Sequence, residues 1–218
     1  MENIINPIEY GFTSEARSFC PECEFLKSRC LCSTIKKINN HIHIVVLQHP
    51  SEQKHPLNTV RIMKKSLMKM SLFIGEDFSN HKEFNDIISN PKNHCALLYP
   101  EIEAQVLDEQ SRSLNLTHLI VLDGTWRKAK KIFLLSKELQ GMKKIRLIPM
   151  AQSDYRIRKA PNENALSTLE AAALSLNFLE PELETEPMIN SFHSMVDYQI
   201  KKMGRELYQA NYLDKKKE

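Results

Sequence analysis

Two groups of residues in this sequence have the types and spacing of a chemical site. The first is Asp123-Gly124-Thr125-Trp126, which holds the chain's one tryptophan and one of its five glycines. It follows the apolar run Leu119-Ile120-Val121-Leu122 and opens an amphipathic helical pattern, so it marks the point where a buried strand hands over to a helix. In open α/β sheets, ligands bind outside the carboxyl ends of the strands, and the free N–H groups of the next helix attract an anion. The same tetrapeptide also makes an ordinary strand-to-helix turn, with Asp123 or Thr125 as the cap and Trp126 packed in the core. The helix that follows favours the ligand reading. Trp126, Ala129, Ile132 and Phe133 share one face at helical spacing, while Arg127, Lys128, Lys130 and Lys131 crowd the first two turns. Cations there oppose the macrodipole at about 0.3–1 kcal/mol each; a phosphate or carboxylate partner would account for them.

The second group is Cys20, Cys23, Cys30 and Cys32, spaced C-x2-C-x6-C-x-C. In a reducing compartment, four thiols this close read as a tetrahedral zinc site, because thiolates suit Zn²⁺ and each tight pair can span one edge of the tetrahedron. Four protein ligands leave no open coordination position, so the site is expected to be structural. Disulfides are disfavoured by compartment. The fifth cysteine, Cys95, lies in an apolar run and reads as a small buried hydrophobe.

The elements that must position these residues follow from the patterning. Residues 1–40 form a leader and the zinc knuckle, and residues 41–218 form the main domain. Its strands read as Ile42–Leu47, Cys95–Tyr99, Leu119–Leu122 and Lys144–Ile148, all nearly continuous in apolar residues, as in a parallel sheet covered on both faces. Helices are expected at about 57–70, 82–89, 125–139, 167–180 and 188–212. The fold class is therefore α/β, a mostly parallel sheet with helices on both faces. The last helix can either cover the core or form an interface between copies.

Composition narrows the function further. The 218 residues carry a net charge of +3, gathered into basic clusters such as 127–131, Arg156/Arg158/Lys159 and 215–217, which suit a phosphate backbone. No apolar run is long enough to span a membrane, and the start of the chain has no secretory pattern; a cytoplasmic setting is expected. The five glycines never assemble a G-x-G-x-x-G or a P-loop. Kinases, NTPases and nicotinamide dehydrogenases are thereby disfavoured.

Other constellations fall at the same edge of the expected sheet. Gln48-His49-Pro50 follows the first strand, Asn58 and Thr59 lie at the start of a helix with Arg61 one turn on, and Tyr99-Pro100 closes the second strand. Ser167-x-x-Glu170 is a capping box, preceded by a basic loop with Arg156 and Arg158. A basic loop leading into a helix start makes a grip for carboxylate or phosphate.

These blocks together resemble the DTW-domain family of tRNA-uridine aminocarboxypropyltransferases. The resemblance is carried by Asp123-Gly124-Thr125-Trp126, by the four cysteines, by Pro56-x-Asn58-Thr59-x-Arg61, by Leu98-Tyr99-Pro100 and by Leu166-Ser167-Thr168-Leu169-Glu170-Ala171, in that family's order over roughly residues 20–175. It implies S-adenosylmethionine as donor, tRNA as partner, and a SPOUT-like fold with a knotted C-terminal half. It also implies roles. Asp123, Thr125 and Trp126 would be catalytic, with Asp123 the base or uracil orienter and the indole packed. Tyr99, Pro100, Leu122, Ser167, Thr168 and Glu170 would hold the donor. Asn58, Thr59, Arg61, Arg127, Lys128, Lys131, Arg156 and Arg158 would meet the tRNA. Two other functions stay open on the residues alone: a SPOUT-like RNA methyltransferase, or a zinc-knuckle RNA-binding module without catalysis.

Overall fold

The computed structural model describes residues 18–148 and 166–209. Its centre is a six-stranded sheet built from β1 (His43–Gln48), β2 (Met70–Ile74), β3 (Cys95–Leu98), β4 (Gln105–Val106), β5 (His118–Asp123) and β6 (Lys144–Arg146). The strand order is β2-β1-β5-β3-β6-β4, and every pairing is parallel. Helices α1 (Val60–Ser66), α2 (Lys82–Ser89), α3 (Trp126–Leu135), α4 (Lys137–Gly141), α5 (Thr168–Leu179), α6 (Glu186–Met203) and α7 (Arg205–Tyr208) complete the fold.

Strand alternation divides the core in two. Ile44, Val46, Leu119 and Val121 face a layer formed by α1, α5 and α6; Val45, Leu47, Leu97 and Ile120 face a layer that includes Phe84 of α2, Ile132 of α3 and Leu139 of α4. Burial on both faces explains why these strands read as continuous apolar runs. The knuckle is not a free appendage: Cys23, Phe25 and Leu31 belong to the first of these clusters. The Arg61 guanidinium lies 5.8 Å from the centre of the Phe25 ring, and Lys65 pairs with Glu24 at 3.1 Å, so α1 is the element that receives the knuckle.

The sheet has two strands more than the four expected. The helical pattern over 57–70 ends at Ser66, and Met70–Ile74 becomes β2. The cause is tertiary: the buried Asn40 amide accepts from Met68 N and Lys69 N and donates to the Lys69 carbonyl, extending the chain there. β4 has only two residues, too few for any pattern. The helix expected over 125–139 is divided at Ser136, whose buried hydroxyl accepts from Phe78 N at 3.0 Å. The last helix starts at Glu186 and breaks at Gly204, whose φ of 83° is open to glycine and strained for other residues. A knot in the C-terminal half turns on the path between β6 and α5, where residues 149–165 lie outside the described residues. No described helix is long and apolar enough to cross a membrane.

Candidate functional site

Asp123 and Gln48 end adjacent strands and are register partners. Both share the parity of Val46 and Val121, so their side chains turn toward the α1/α5/α6 layer. There Gln48, 1% exposed, donates from Nε2 to Asp123 Oδ2 at 2.8 Å, while Thr168 Oγ1 at the start of α5 donates to Asp123 Oδ1 at 2.6 Å. The Gln48 amide also reaches Asn58 Oδ1 at 3.5 Å, and that oxygen accepts from Val60 N, the first N–H of α1, at 3.0 Å. One carboxylate thus links β1, β5 and α5 directly, and α1 through Gln48. Hydrogen bonds to a carboxylate are the strong kind, worth about 1.5–3 kcal/mol each.

Beside this network lies a cavity of about 290 Å³. The end of β3 supplies Leu98, Tyr99 and Pro100; β5 and the start of α3 supply Leu122, Gly124 and Trp126; α5 supplies Ser167 and Thr168. Asp123 stands just behind the wall: its neighbours Leu122 and Gly124 and its partner Thr168 line the cavity, and Asp123 does not. Gly124 is required where it stands, because a Cβ there would lie 2.9 Å from Lys128 Cβ. Tyr99 stacks on Phe133 of α3 at 4.3 Å, and burial, reinforced by Glu101, raises its phenol above the usual range. Trp126 is 44% exposed on the cavity wall, which corrects the expectation of a packed indole. Trp126 holds the first position of α3, and Ile132 is the residue of that helix that fills the core.

The α5 start carries its own capping box. Ser167 Oγ accepts from Glu170 N at 3.2 Å, and Glu170 Oε2 accepts from Ser167 N at 2.7 Å. Thr125 caps α3 more loosely, accepting from Lys128 N at 3.4 Å. Asn58 and Thr59 are buried beneath the Asp123 network, and Arg61 donates to the Gln53 carbonyl at 2.8 Å while lying over Phe25. That burial pulls the Arg61 guanidinium below its usual range.

Two of the α3 cations have found carboxylates within the chain. Lys128 pairs with Glu52 at 2.7 Å, and Lys131 pairs with Glu76 at 2.5 Å, where Glu76 also accepts from His49 Nε2 at 2.7 Å. Lys131 beside it, with His49, holds the Glu76 carboxyl below the usual range. Arg127 and Lys130 are exposed and make no ion pair among the described residues. Arg156 and Arg158 lie outside the described residues. Sequence reasoning missed Arg146, the one charged residue on the cavity wall among the described residues. It closes β6, so the strand-end rule that singled out Asp123 would have found it.

The four cysteines converge as their spacing implies. Their sulfurs all lie within 4.8 Å of one another, with Cys20–Cys32 at 3.6 Å and Cys23–Cys30 at 3.7 Å. Zn–S bonds of ~2.3 Å in a tetrahedron put sulfurs about 3.8 Å apart, so the donor set fits zinc. Backbone N–H groups of Cys23 and Glu22 lower the Cys20 thiol to about 6, whereas sharing with Cys30 and Cys20 pushes Cys32 up to about 12. Glu24 turns the knuckle with φ 63°, and the Cys20 carbonyl and N–H bond to Glu24 N and the Phe25 carbonyl. Cys95 is only partly buried, and desolvation raises its thiol.

Comparison with known proteins places the sequence in a family. A family model described as the DTW domain matches residues 17–200. The tRNA-uridine aminocarboxypropyltransferase 2 of Drosophila melanogaster is 34% identical over 193 residues, covering 84% of this chain and 76% of that protein. Its namesake in Macaca fascicularis is 30% identical over 194 residues, covering 86% of this chain and 65% of the relative. Among solved structures, the SAM-dependent rRNA:acp-transferase Tsr3 from Vulcanisaeta distributa aligns with a TM-score of 0.43 at 18% identity, over 80% of this chain and 86% of that one.

Proposed function

This chain belongs to the DTW-domain family, and from that premise we propose that it transfers the 3-amino-3-carboxypropyl group of S-adenosylmethionine to N3 of a tRNA uridine. The products are 3-(3-amino-3-carboxypropyl)uridine and methylthioadenosine. The observation that carries this reading is the match over residues 17–200, which takes in the sheet, the cavity and the zinc knuckle together. The fly and macaque relatives carry this activity in their names, at 34% and 30% identity.

In this reading the donor occupies the cavity, its apolar parts against Leu98, Pro100 and Leu122. Uridine N3 attacks the methylene carbon next to the sulfonium; the N–C bond forms as the C–S bond breaks, and the electron pair leaves with sulfur. Holding both partners in line is the larger part of the catalytic task. The N3 proton moves to Thr168 Oγ1 while the Thr168 hydroxyl proton passes to Asp123 Oδ1, the atom it already faces at 2.6 Å. Gln48 fixes the carboxylate for that transfer from its opposite oxygen.

On the tRNA side, phosphate contact falls to Arg127 and Lys130, since Lys128 and Lys131 are held by Glu52 and Glu76. Zinc at the four cysteines would brace the knuckle against α1. The reaction is tested by supplying S-adenosylmethionine labelled in the carboxyl carbon or in the methyl group, with unmodified tRNA transcript. Carboxyl label in the RNA with none from the methyl is the expected outcome. Methyl label alone would make the protein a methyltransferase, and neither label would leave a binding module.

A further inference from the structure

We propose that Arg146 is the residue that grips the carboxylate of the donor, an inference that rests on the assignment of the cavity to an S-adenosylmethionine-dependent reaction. An amino acid-bearing sulfonium brings one carboxylate into a cavity whose wall is largely apolar. Such a group requires a cation or several N–H donors, because an unpaired buried charge is strongly disfavoured. The hydroxyls at the start of α5 were the obvious candidates, and both have other work. Ser167 closes a reciprocal capping box with Glu170, and Thr168 donates to Asp123 at 2.6 Å.

Among the described residues lining the cavity, Arg146 alone carries a charge. It is the last residue of β6, two strands from β5 across β3, so it approaches the cavity from the wall opposite β1. Its backbone is fixed by pairing with Val106 of β4, and its Nε donates to the Ala104 carbonyl at 3.2 Å. That bond orients the guanidinium, and no hydrogen bond from its terminal N–H groups is made to another described residue. A guanidinium anchored at Nε presents a planar fork, and carboxylates match that fork with two parallel hydrogen bonds. With the carboxylate on Arg146, the aminocarboxypropyl arm would be pinned at its far end. The carbon that is transferred then lies between a fixed carboxylate and a fixed adenosine, which favours displacement at that carbon over displacement at the methyl.

The test compares ligands that differ only at the carboxylate. Binding of S-adenosylmethionine, decarboxylated S-adenosylmethionine and methylthioadenosine is measured for the full chain and for Arg146→Ala and Arg146→Lys, by calorimetry. For Arg146→Ala, S-adenosylmethionine affinity is expected to fall about ten- to a hundredfold, the loss typical of a hydrogen bond to a charged group. The two ligands without the carboxylate should bind within about twofold of the unaltered chain, which also shows that the cavity is intact. Arg146→Lys should recover part of the loss, since it restores a point charge without the fork. Equal weakening of all three ligands would make Arg146 a structural brace, and undiminished S-adenosylmethionine binding would place the carboxylate elsewhere; either result overturns the proposal. Failure of the unaltered chain to bind any of the three would instead remove the donor assignment itself.

Discussion

Gln48 and Asp123 are partners across a parallel ladder, and the Gln48 amide donates to the Asp123 carboxylate at 2.8 Å. Neither residue reaches the cavity wall, yet Thr168, which does, is held by the same carboxylate. The arrangement places the acid one bond behind a hydroxyl rather than in the open.

Replacement of Gln48 separates positioning from chemistry. Gln48→Leu removes one donor worth about 1.5–3 kcal/mol to the carboxylate, and transfer to tRNA should slow about ten- to a hundredfold. Gln48→Glu sets two carboxylates side by side and should be worse at neutral pH than at mildly acidic pH, where one of them is protonated. Single-turnover rates across pH for both variants check this; identical profiles would show that Gln48 only fills space.

The adjacent residues Ser167 and Thr168 should behave oppositely. Loss of the capping box in Ser167→Ala should lower stability by about 0.5–2 kcal/mol with transfer nearly intact. Thr168→Val keeps the shape, removes the hydroxyl facing Asp123, and should abolish most of the transfer at little cost in stability. Urea unfolding measured alongside transfer rates distinguishes the pair, and a shared loss of stability without loss of rate would remove Thr168 from the proton path.

How much of this was legible beforehand depends on the range of the interaction. The Asp123 turn, the capping box at Ser167, the span of α2 and the four-cysteine cluster are local patterns, written in consecutive residues. The pairing of Gln48 with Asp123 is a matter of register between strands 75 positions apart, and no periodicity encodes it. Lys128 and Lys131 looked like a ligand-seeking pair because Glu52 and Glu76, their partners, come from loops far back in the chain. β2 was hidden because Asn40, thirty residues upstream of Met70, ends the helical run by capturing Met68 and Lys69.

Metal removal should affect more than the knuckle. Cys23, Phe25 and Leu31 sit in the same apolar cluster as the strands of the sheet, and metal binding is coupled to folding of such sites. Freshly purified protein should contain one zinc per chain. Chelation should lower the thermal midpoint of the whole unit in a single transition, and Cys23→Ser should do the same without chelator. A metal-free preparation with an unaltered midpoint would contradict this.

At the opposite edge of the sheet, the imidazoles of His43 and His118 stack at 5.1 Å, with Ser71 and Thr117 as their hydrogen-bond partners. Burial pulls both below the usual histidine range; Lys69 adds to the effect on His43, and His43 adds to the effect on His118. A depressed folded-state value means that the unfolded chain binds protons first. The contribution of the pair is therefore complete above about pH 6.5 and is lost as pH falls below it toward the folded-state values. Thermal midpoints should drop between pH 7 and pH 5, and the drop should be shallower in His43→Gln combined with His118→Gln. An unchanged slope would exclude the pair as its source.

The last prediction concerns the cations of α3, which divide into paired and unpaired members. Each phosphate contacted releases counterions, so the dependence of log affinity on log salt measures how many are met. Arg127 and Lys130 are exposed with no ion pair among the described residues, and replacing both with alanine should reduce the slope by about 1.5 and weaken tRNA binding at low salt. Lys128 and Lys131 are engaged with Glu52 and Glu76; replacing them should leave the slope unchanged, and the exposed Lys131 pair should contribute little to stability. Affinity for unmodified tRNA transcript, titrated at several salt concentrations with S-adenosylmethionine present and absent, reads the slope for each double variant. A slope that falls with Lys128 and Lys131, and not with Arg127 and Lys130, would mean that the tRNA displaces the carboxylates, and that the ion pairs form only in the unliganded chain.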